Sequence, residues 1–477
     1  MEELPKFIGL QCKNYNNKYL RYVYEDNEAH GLQQFSSDTV VSGYAKFQVE
    51  KAKMGKGYVH IRSLYNNKYW VRRSPTEFWI TANADEPDEN EFTWTCTLFE
   101  PIPVDGCNNS GFTIRLRHVN LSHYLCLWRI PPPYEACMFA ASPDHDESRL
   151  DIFTVFDWDS LFVLPKFIAF KGDNGKYLRK NRFQGMNYLT FDMSDISDSD
   201  VKNKVFPTSF GDGTVAIESV SYDNFWSREH CDHWVVAGSC NCNANDPNSF
   251  FFPVKISKNV VALRNLGDNL FCKRYDDKGV VDGLSAISPT ITLEAKLEVY
   301  ELVSQRAIGD VEFHLLDGRI YDKKVITVAT GFAENRSDQP DVIAVKLSYN
   351  NTRVSAWSST VSVKLNVETC VIESSIPIIF EETLAIGPES FSGEYDWGED
   401  KNLTKKVETV HKVLVQPCSK VRVNLVATQA SYDVPFSYTQ NDTLISSNLI
   451  TTYKMEDGIY KGVNIYNFKF EETDCGC

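Results

Sequence analysis

The chain has 477 residues, a formal net charge of −15, 43% hydrophobic and 24% charged residues. That composition is globular, and the length calls for several domains rather than one core. The negative balance argues against nucleic acid and against electrostatic adhesion to anionic lipid, and no apolar run approaches the roughly 20 residues of a spanning helix.

The N-terminal stretch MEELPKFIGLQCKN lacks the basic-then-apolar plan of a signal peptide. Read as a complete chain, it predicts a cytosolic or nucleocytoplasmic start, with any action on membranes following release. From there a motif recurs: FIGLQCKNYNNKYLRY at 7, VHIRSLYNNKYWVRRS at 59 and FTIRLRHVNLSHYLCLW at 112. It restarts as FIAFKGDNGKYLRKN at 167, VAIESVSYDNFWSREH at 215 and VALRNLGDNLFCKRY at 260. The first three copies read strand, polar turn with Asn, then Tyr followed by an apolar or aromatic residue. Two sets of three such units, without helical periodicity, predict two β-trefoils. On this reading Trp128 and Trp226 are trefoil core residues.

The 13 cysteines form no matched framework. A zinc site from His230, His233, Cys240 and Cys242 can be imagined, but Cys231 and the crowding disfavour it, and free buried thiols are expected, with no metal and no cofactor. The acidic run DEPDEN (85–90) reads as solvated turn surface rather than a Ca²⁺ site or a glycosidase pair. No catalytic motif is present, so no enzyme is predicted.

After LEVYELVSQRAIGD the composition shifts to Val, Ser, Thr and Asn in long alternating runs, which predicts an elongated β domain. The predicted fold class is therefore all-β: trefoils over 1–160 and 161–304, then the elongated module over 305–477. Within that module Val361, Val363, Leu365, Val367 and Val371 alternate with Ser362, Lys364, Asn366 and Glu368. The apolar knot Ile376, Pro377, Ile378, Ile379 and Phe380 follows. Leu384 and Ile386 then alternate with Thr383. On pattern alone two such strands with a greasy tip fit first an ordinary half-buried hairpin, the commoner arrangement, and second a membrane-inserting one.

The stretches NKYLRY (17–22), LQQFSSD (32–38), SPTEFWITANADEPDEN (74–90) and WTCTLFEP (94–101), with FKGDNGKYL and SYDNFW in the second set, resemble the agglutinin domains of amaranthin-type plant lectins. The resemblance implies a head-to-tail homodimer binding galactosyl/N-acetylgalactosamine-type glycans where one subunit's first trefoil meets the other's second. It assigns sugar contacts to Thr76, Glu77, Phe78 and Trp79. Amaranthin has Asn where this chain has Thr76, and a hydroxyl replaces only part of an amide. Trp79 is open to two roles, sugar stacking or trefoil core.

The last third, through the hairpin and LVQPCSKVRVNLVATQASYDVPFSYT (414–439), resembles the aerolysin/ε-toxin pore-forming family. That implies oligomerisation and a membrane β-barrel. Val361, Val363, Leu365, Val367, Val371, Leu384 and Ile386 would face lipid. Ser362, Lys364, Asn366, Glu368 and Thr383 would face a mildly cation-selective lumen. Together the resemblances imply a pore-forming lectin of plant defence. The rivals are a non-lytic cytosolic stress lectin whose third domain only oligomerises, and a trefoil protease inhibitor.

Overall fold

The structure is a computed structural model describing residues 3–25, 28–104, 112–229, 231–239, 246–365, 367–395, 397–445, 447 and 449–476. Among the described residues every long element is a strand, and the only helical segments are single 3₁₀ turns. The chain divides into two compact units. The first comprises Met1–Ala307 with Thr360–Glu368 and Gln440–Tyr453; the second comprises Ile308–Ser359, Thr369–Thr439 and Lys454–Cys477.

The first unit holds two twelve-stranded sheets, four strands per repeat. Strands start at Phe7, Val59, Thr113, Phe167, Val215 and Val260, within a residue of each sequence repeat. The first and last strands of each sheet pair, Leu10 opposite Val155 and Ala169 opposite Tyr300, and so close each barrel. Equivalent apolar positions meet inside: Phe47, Phe99 and Phe153 in the first core, and Phe170, Ile217 and Leu263 in the second. No single repeat could bury these side chains alone. Trp226 is fully buried, with its indole N–H donated to Ser219 Oγ at 3.1 Å. The thiols of Cys12, Cys96, Cys126, Cys137 and Cys272 are buried as expected, and burial pushes Cys12 up to about 11, whereas Cys231, Cys370, Cys418 and Cys475 are exposed.

The second unit is built on strands of up to 26 residues. Its eight-stranded sheet runs, from one edge, Thr383–Tyr395, Thr369–Phe380, Val303–Phe313, Ser419–Leu444, Ile450–Asp474, Asp341–Ser359 and Asp400–Val415, with Arg319–Asn335 also paired to Ser419–Leu444. Alternating side chains feed two separate cores. One centres on Trp357, Phe436 and Tyr460, the other on Val345, Leu347, Val413 and Val423.

Here the structure corrects the sequence reading. Residues 361–365 and 367–368 belong to no strand. The segment 360–368 is a strap on the first unit. Leu365 is 3% exposed in the core of the second trefoil, Val363 packs beside it, and Val361 joins the cluster around Tyr19, Val40 and Trp158. The alternation is real, but Val361, Val363 and Leu365 are taken by the first unit, and only Val371 lies on a strand, in the core of the second unit. The hairpin begins only at Thr369, and its turn is Glu381–Glu382, with φ of 47° and 69°. The apolar knot therefore lies in the ascending strand and not at the tip.

Candidate functional site

The loop between the strands Tyr69–Arg72 and Ile80–Ala84 carries Thr76, Glu77, Phe78 and Trp79. Ser74 shapes it, its hydroxyl accepting from the amides of Thr76 (3.4 Å) and Glu77 (3.1 Å). Arg73 N closes the loop on Trp79 O at 2.9 Å. This leaves Thr76 and Glu77 exposed, a hydroxyl and a carboxylate able to meet sugar hydroxyls.

The two aromatic residues are only half exposed. Trp79 stacks on Tyr134 (centroids 5.3 Å, 14°) and meets Phe139 edge-on at 4.6 Å. Phe78 lies under the Arg72 guanidinium at 5.6 Å. One face of Trp79 is thus already occupied by protein, and any sugar stacks on what remains. The loop's supports, Arg73 and Tyr134, went unnoticed in the sequence. Arg73 reaches the Tyr134 hydroxyl at 3.2 Å and Glu28 O at 3.0 Å. Tyr134 sits in PPPYEAC, remote in sequence, where no local pattern marks it.

Trp128 differs from its expected core place, at 38% exposure. In the third repeat it is Leu125 that fills the core, directly after Tyr124, as Trp226 does after Phe225 in the second trefoil. Trp128 falls three residues further on and emerges from the barrel. DEPDEN is likewise more than solvated surface. Glu89 accepts from the amides of Lys53 (2.6 Å) and Met54 (3.0 Å) and from His60. Asp88 accepts from the Thr95 and Thr93 hydroxyls. Burial raises the Asp88 pKa, but these bonds and the Asn90 amide hold it below the usual carboxylate range. Of the conceivable zinc ligands His230, His233, Cys240 and Cys242, only His233 lies within the described residues, among which no metal-binding cluster occurs.

The hairpin residues are divided between the two units. Val361, Ser362, Val363, Lys364, Leu365, Val367 and Glu368 lie on the strap; Asn366 is outside the described residues. Polar bonds hold the strap as well as apolar ones. Lys46 Nζ donates to Thr360 O at 2.8 Å, Lys364 Nζ to Gln440 Oε1 at 2.7 Å, and Leu365 N to Glu301 Oε2 at 3.2 Å. Glu301 and Asp442 in turn flank Arg306, whose Nε and Nη2 reach Asp442 at 2.7 and 2.8 Å and whose Nη2 reaches Glu301 at 2.5 Å. Burial alone lowers the Arg306 pKa, and the two carboxylates more than reverse that.

In the second unit Val371 and Ile379 are buried, Ile376 and Pro377 nearly so, Ile378 is half-buried, and Phe380 and Ile386 are exposed. Leu384 packs partly against the core, while Thr383 is exposed and its hydroxyl bonds Phe380 O. Asn464 grips Ile379 through both amide atoms, accepting from its N–H at 3.0 Å and donating to its C=O at 3.1 Å. Tyr432 donates to Pro377 O at 2.7 Å.

Among solved structures, a lamprey immune protein is 10% identical, aligned over 65% of this chain and 90% of that chain with a TM-score of 0.31. An aerolysin-like protein from Bombina maxima is 11% identical over 35% and 98%, at 0.24. The parasporin-2 toxin of Bacillus thuringiensis is 17% identical over 36% and 74%, at 0.22. No curated protein matches the chain. The family model of the agglutinin domain matches twice, over residues 2–157 and 162–304, one match on each trefoil. Such domains bind sugars and do not catalyse, so the chain is not an enzyme. With both closed barrels and most of its length accounted for in this way, the chain belongs to the agglutinin-domain family.

Proposed function

We propose that the chain is a glycan-docked pore former. Its trefoils hold cell-surface sugar, homo-oligomers gather, and the segment between Asp341–Ser359 and Asp400–Val415 refolds as one hairpin of a transmembrane β-barrel. The observation that carries this reading is a register. Those two strands pair without a shift from Asp341/Val415 to Ala356/Asp400. Continued at the same step, the pairing closes at Ile378, with Ile376 opposite Phe380, so the apolar knot becomes the tip. Val361, Val363, Leu365, Val367 and Val371 continue the parity of the buried Val345 and Leu347 and face lipid. Ser362, Lys364, Asn366 and Glu368 face the lumen. Leu384 and Ile386 then need a one-residue bulge to join the lipid face.

Two features of the soluble form support such refolding. Glu381 and Glu382 sit at positive φ, where an L-residue pays about 1–2 kcal/mol and hairpins prefer Asn-Gly. The hairpin also lies at a sheet edge, with Thr383–Tyr395 outermost. In lipid an isolated hairpin would leave backbone groups unpaired, so ring assembly accompanies insertion. Docking uses the exposed Thr76–Glu77 edge on galactosyl- or N-acetylgalactosamine-type glycans. A single shallow site contributes roughly −4 to −8 kcal/mol, and multivalency on a membrane does the rest. Release of a cytosolic store onto glycan-bearing membranes fits a role in plant defence.

One observation favours a non-lytic lectin instead: Ile376 and Ile379 are 6% and 2% exposed in the core of the second unit. Dye release from liposomes bearing galactosyl and N-acetylgalactosaminyl lipids separates the two readings. The pore reading expects release by the unaltered protein, and Ile378→Asp binding the same liposomes without release. Binding without release by the unaltered protein leaves only the lectin.

A further inference from the structure

We propose that the third repeat of the first trefoil carries a second glycan site, distinct from the loop 73–79, for a neutral sugar ring. The proposal rests on the lectin reading above and names a place the family assignment does not supply.

A cleft of about 380 Å³ opens there, large enough for one or two sugar rings, lined by Tyr124, Trp128, Asp144, His145, Asp146 and Asp151 among others. Its aromatic wall is rigid. Trp128 is fixed through its backbone, its N–H to Cys137 O and its C=O from Ala136 N, each at 3.0 Å, and its ring rests on Phe139. Tyr124 packs against His145 with centroids 4.4 Å apart. Carboxylates line the same cleft: Asp144 is exposed, and Asp146 is half-buried where it caps the Leu150 amide at 2.9 Å.

The floor is the decisive feature. Asp151 is fully buried, and its Oδ2 accepts from Arg115 Nε at 2.7 Å and Asp146 N at 3.3 Å. Its Oδ1 has no donor among the described residues. A buried carboxylate oxygen left in that state is costly, and because Oδ1 is closed to solvent, a sugar O–H or a water reaches it from the cleft only with a small shift of the lining. An aromatic face beside carboxylate acceptors is what a sugar's apolar C–H face and its hydroxyl rim require. The carboxylates disfavour sialic acid and other anionic sugars.

The test uses the full chain. Methyl galactoside, methyl glucoside and methyl mannoside are titrated while the Trp128 indole N–H is followed by NMR, with sialic acid as the anionic control, and a neutral-glycan array is run in parallel. At least one neutral glycoside should shift the Trp128 signal and sialic acid should not. Trp128→Ala should weaken that glycoside about tenfold, and Asp144→Asn, at an exposed position, should weaken it without changing the melting temperature. If glycosides bind the array but Trp128 never shifts and both variants bind normally, this cleft is not a site and the lectin reading stands. If the unaltered chain binds no glycan on the array or in titration, both fail together.

Discussion

Leu365→Ala tests whether the strap is a latch. Leu365 is 3% exposed in the core of the second trefoil, and core Leu→Ala truncations cost about 2–5 kcal/mol. Val363 packs beside it, Val361 packs on the cluster around Tyr19, Val40 and Trp158, and the hydrogen bonds from Lys46, Lys364 and the Leu365 amide contribute about 0.5–3 kcal/mol each. Docking is therefore a matter of a few kcal/mol. Losing even about 2 of them raises the undocked population roughly 30-fold. Hydrogen exchange of amides 361–368 and limited proteolysis report that population, because local opening sets both rates. The expected result is accelerated exchange confined to the strap, with trefoil melting little changed and a shorter lag before dye release. Should Leu365→Ala leave strap exchange as it was, or melt the trefoil and the strap together, the segment is an integral part of the trefoil and the latch argument is wrong.

Other outcomes follow from single contacts. His118 is fully buried, and desolvation, with Arg72 adding to it, pushes its pKa down to about 3. Its folded pKa lies below the unfolded value of about 6.5, so in that interval only the unfolded chain takes the proton. Stability is full above pH 6.5 and falls as pH drops, by about 2 kcal/mol at pH 5; His118→Asn should flatten this slope in pH-dependent melting, and an unchanged slope would clear His118 of the effect. Arg306→Leu strands two carboxylates buried beside it and should cost about 3–5 kcal/mol in denaturant unfolding. In the proposed barrel, Val367→Lys would put a charge against lipid at about 2–4 kcal/mol per subunit and should block dye release. Glu368→Lys, on the lumen side, should shift single-channel selectivity toward anions, and equal effects of the two substitutions would refute the assigned faces.

The repeats were plain in the sequence because a trefoil unit is a local pattern: turn chemistry and apolar spacing recur whatever lies around them, and strands start where the motifs do. The alternation of Val361 to Val371 was equally plain, but period two says only that one side of an extended chain is apolar, not what covers it. Here the floor of the second trefoil covers Val363 and Leu365, and the core of the second unit covers Val371. The turn at Glu381–Glu382 was illegible because its residues disfavour the conformation that pairing imposes on them. Trp128 and Asp151 were illegible for a related reason: an exposed indole and a donorless buried carboxylate are properties of neighbours remote in the chain. Residue order thus determined which segments are extended and how they repeat. Only long-range packing, which chooses among several apolar partners of similar worth, decided where each amphipathic face came to rest.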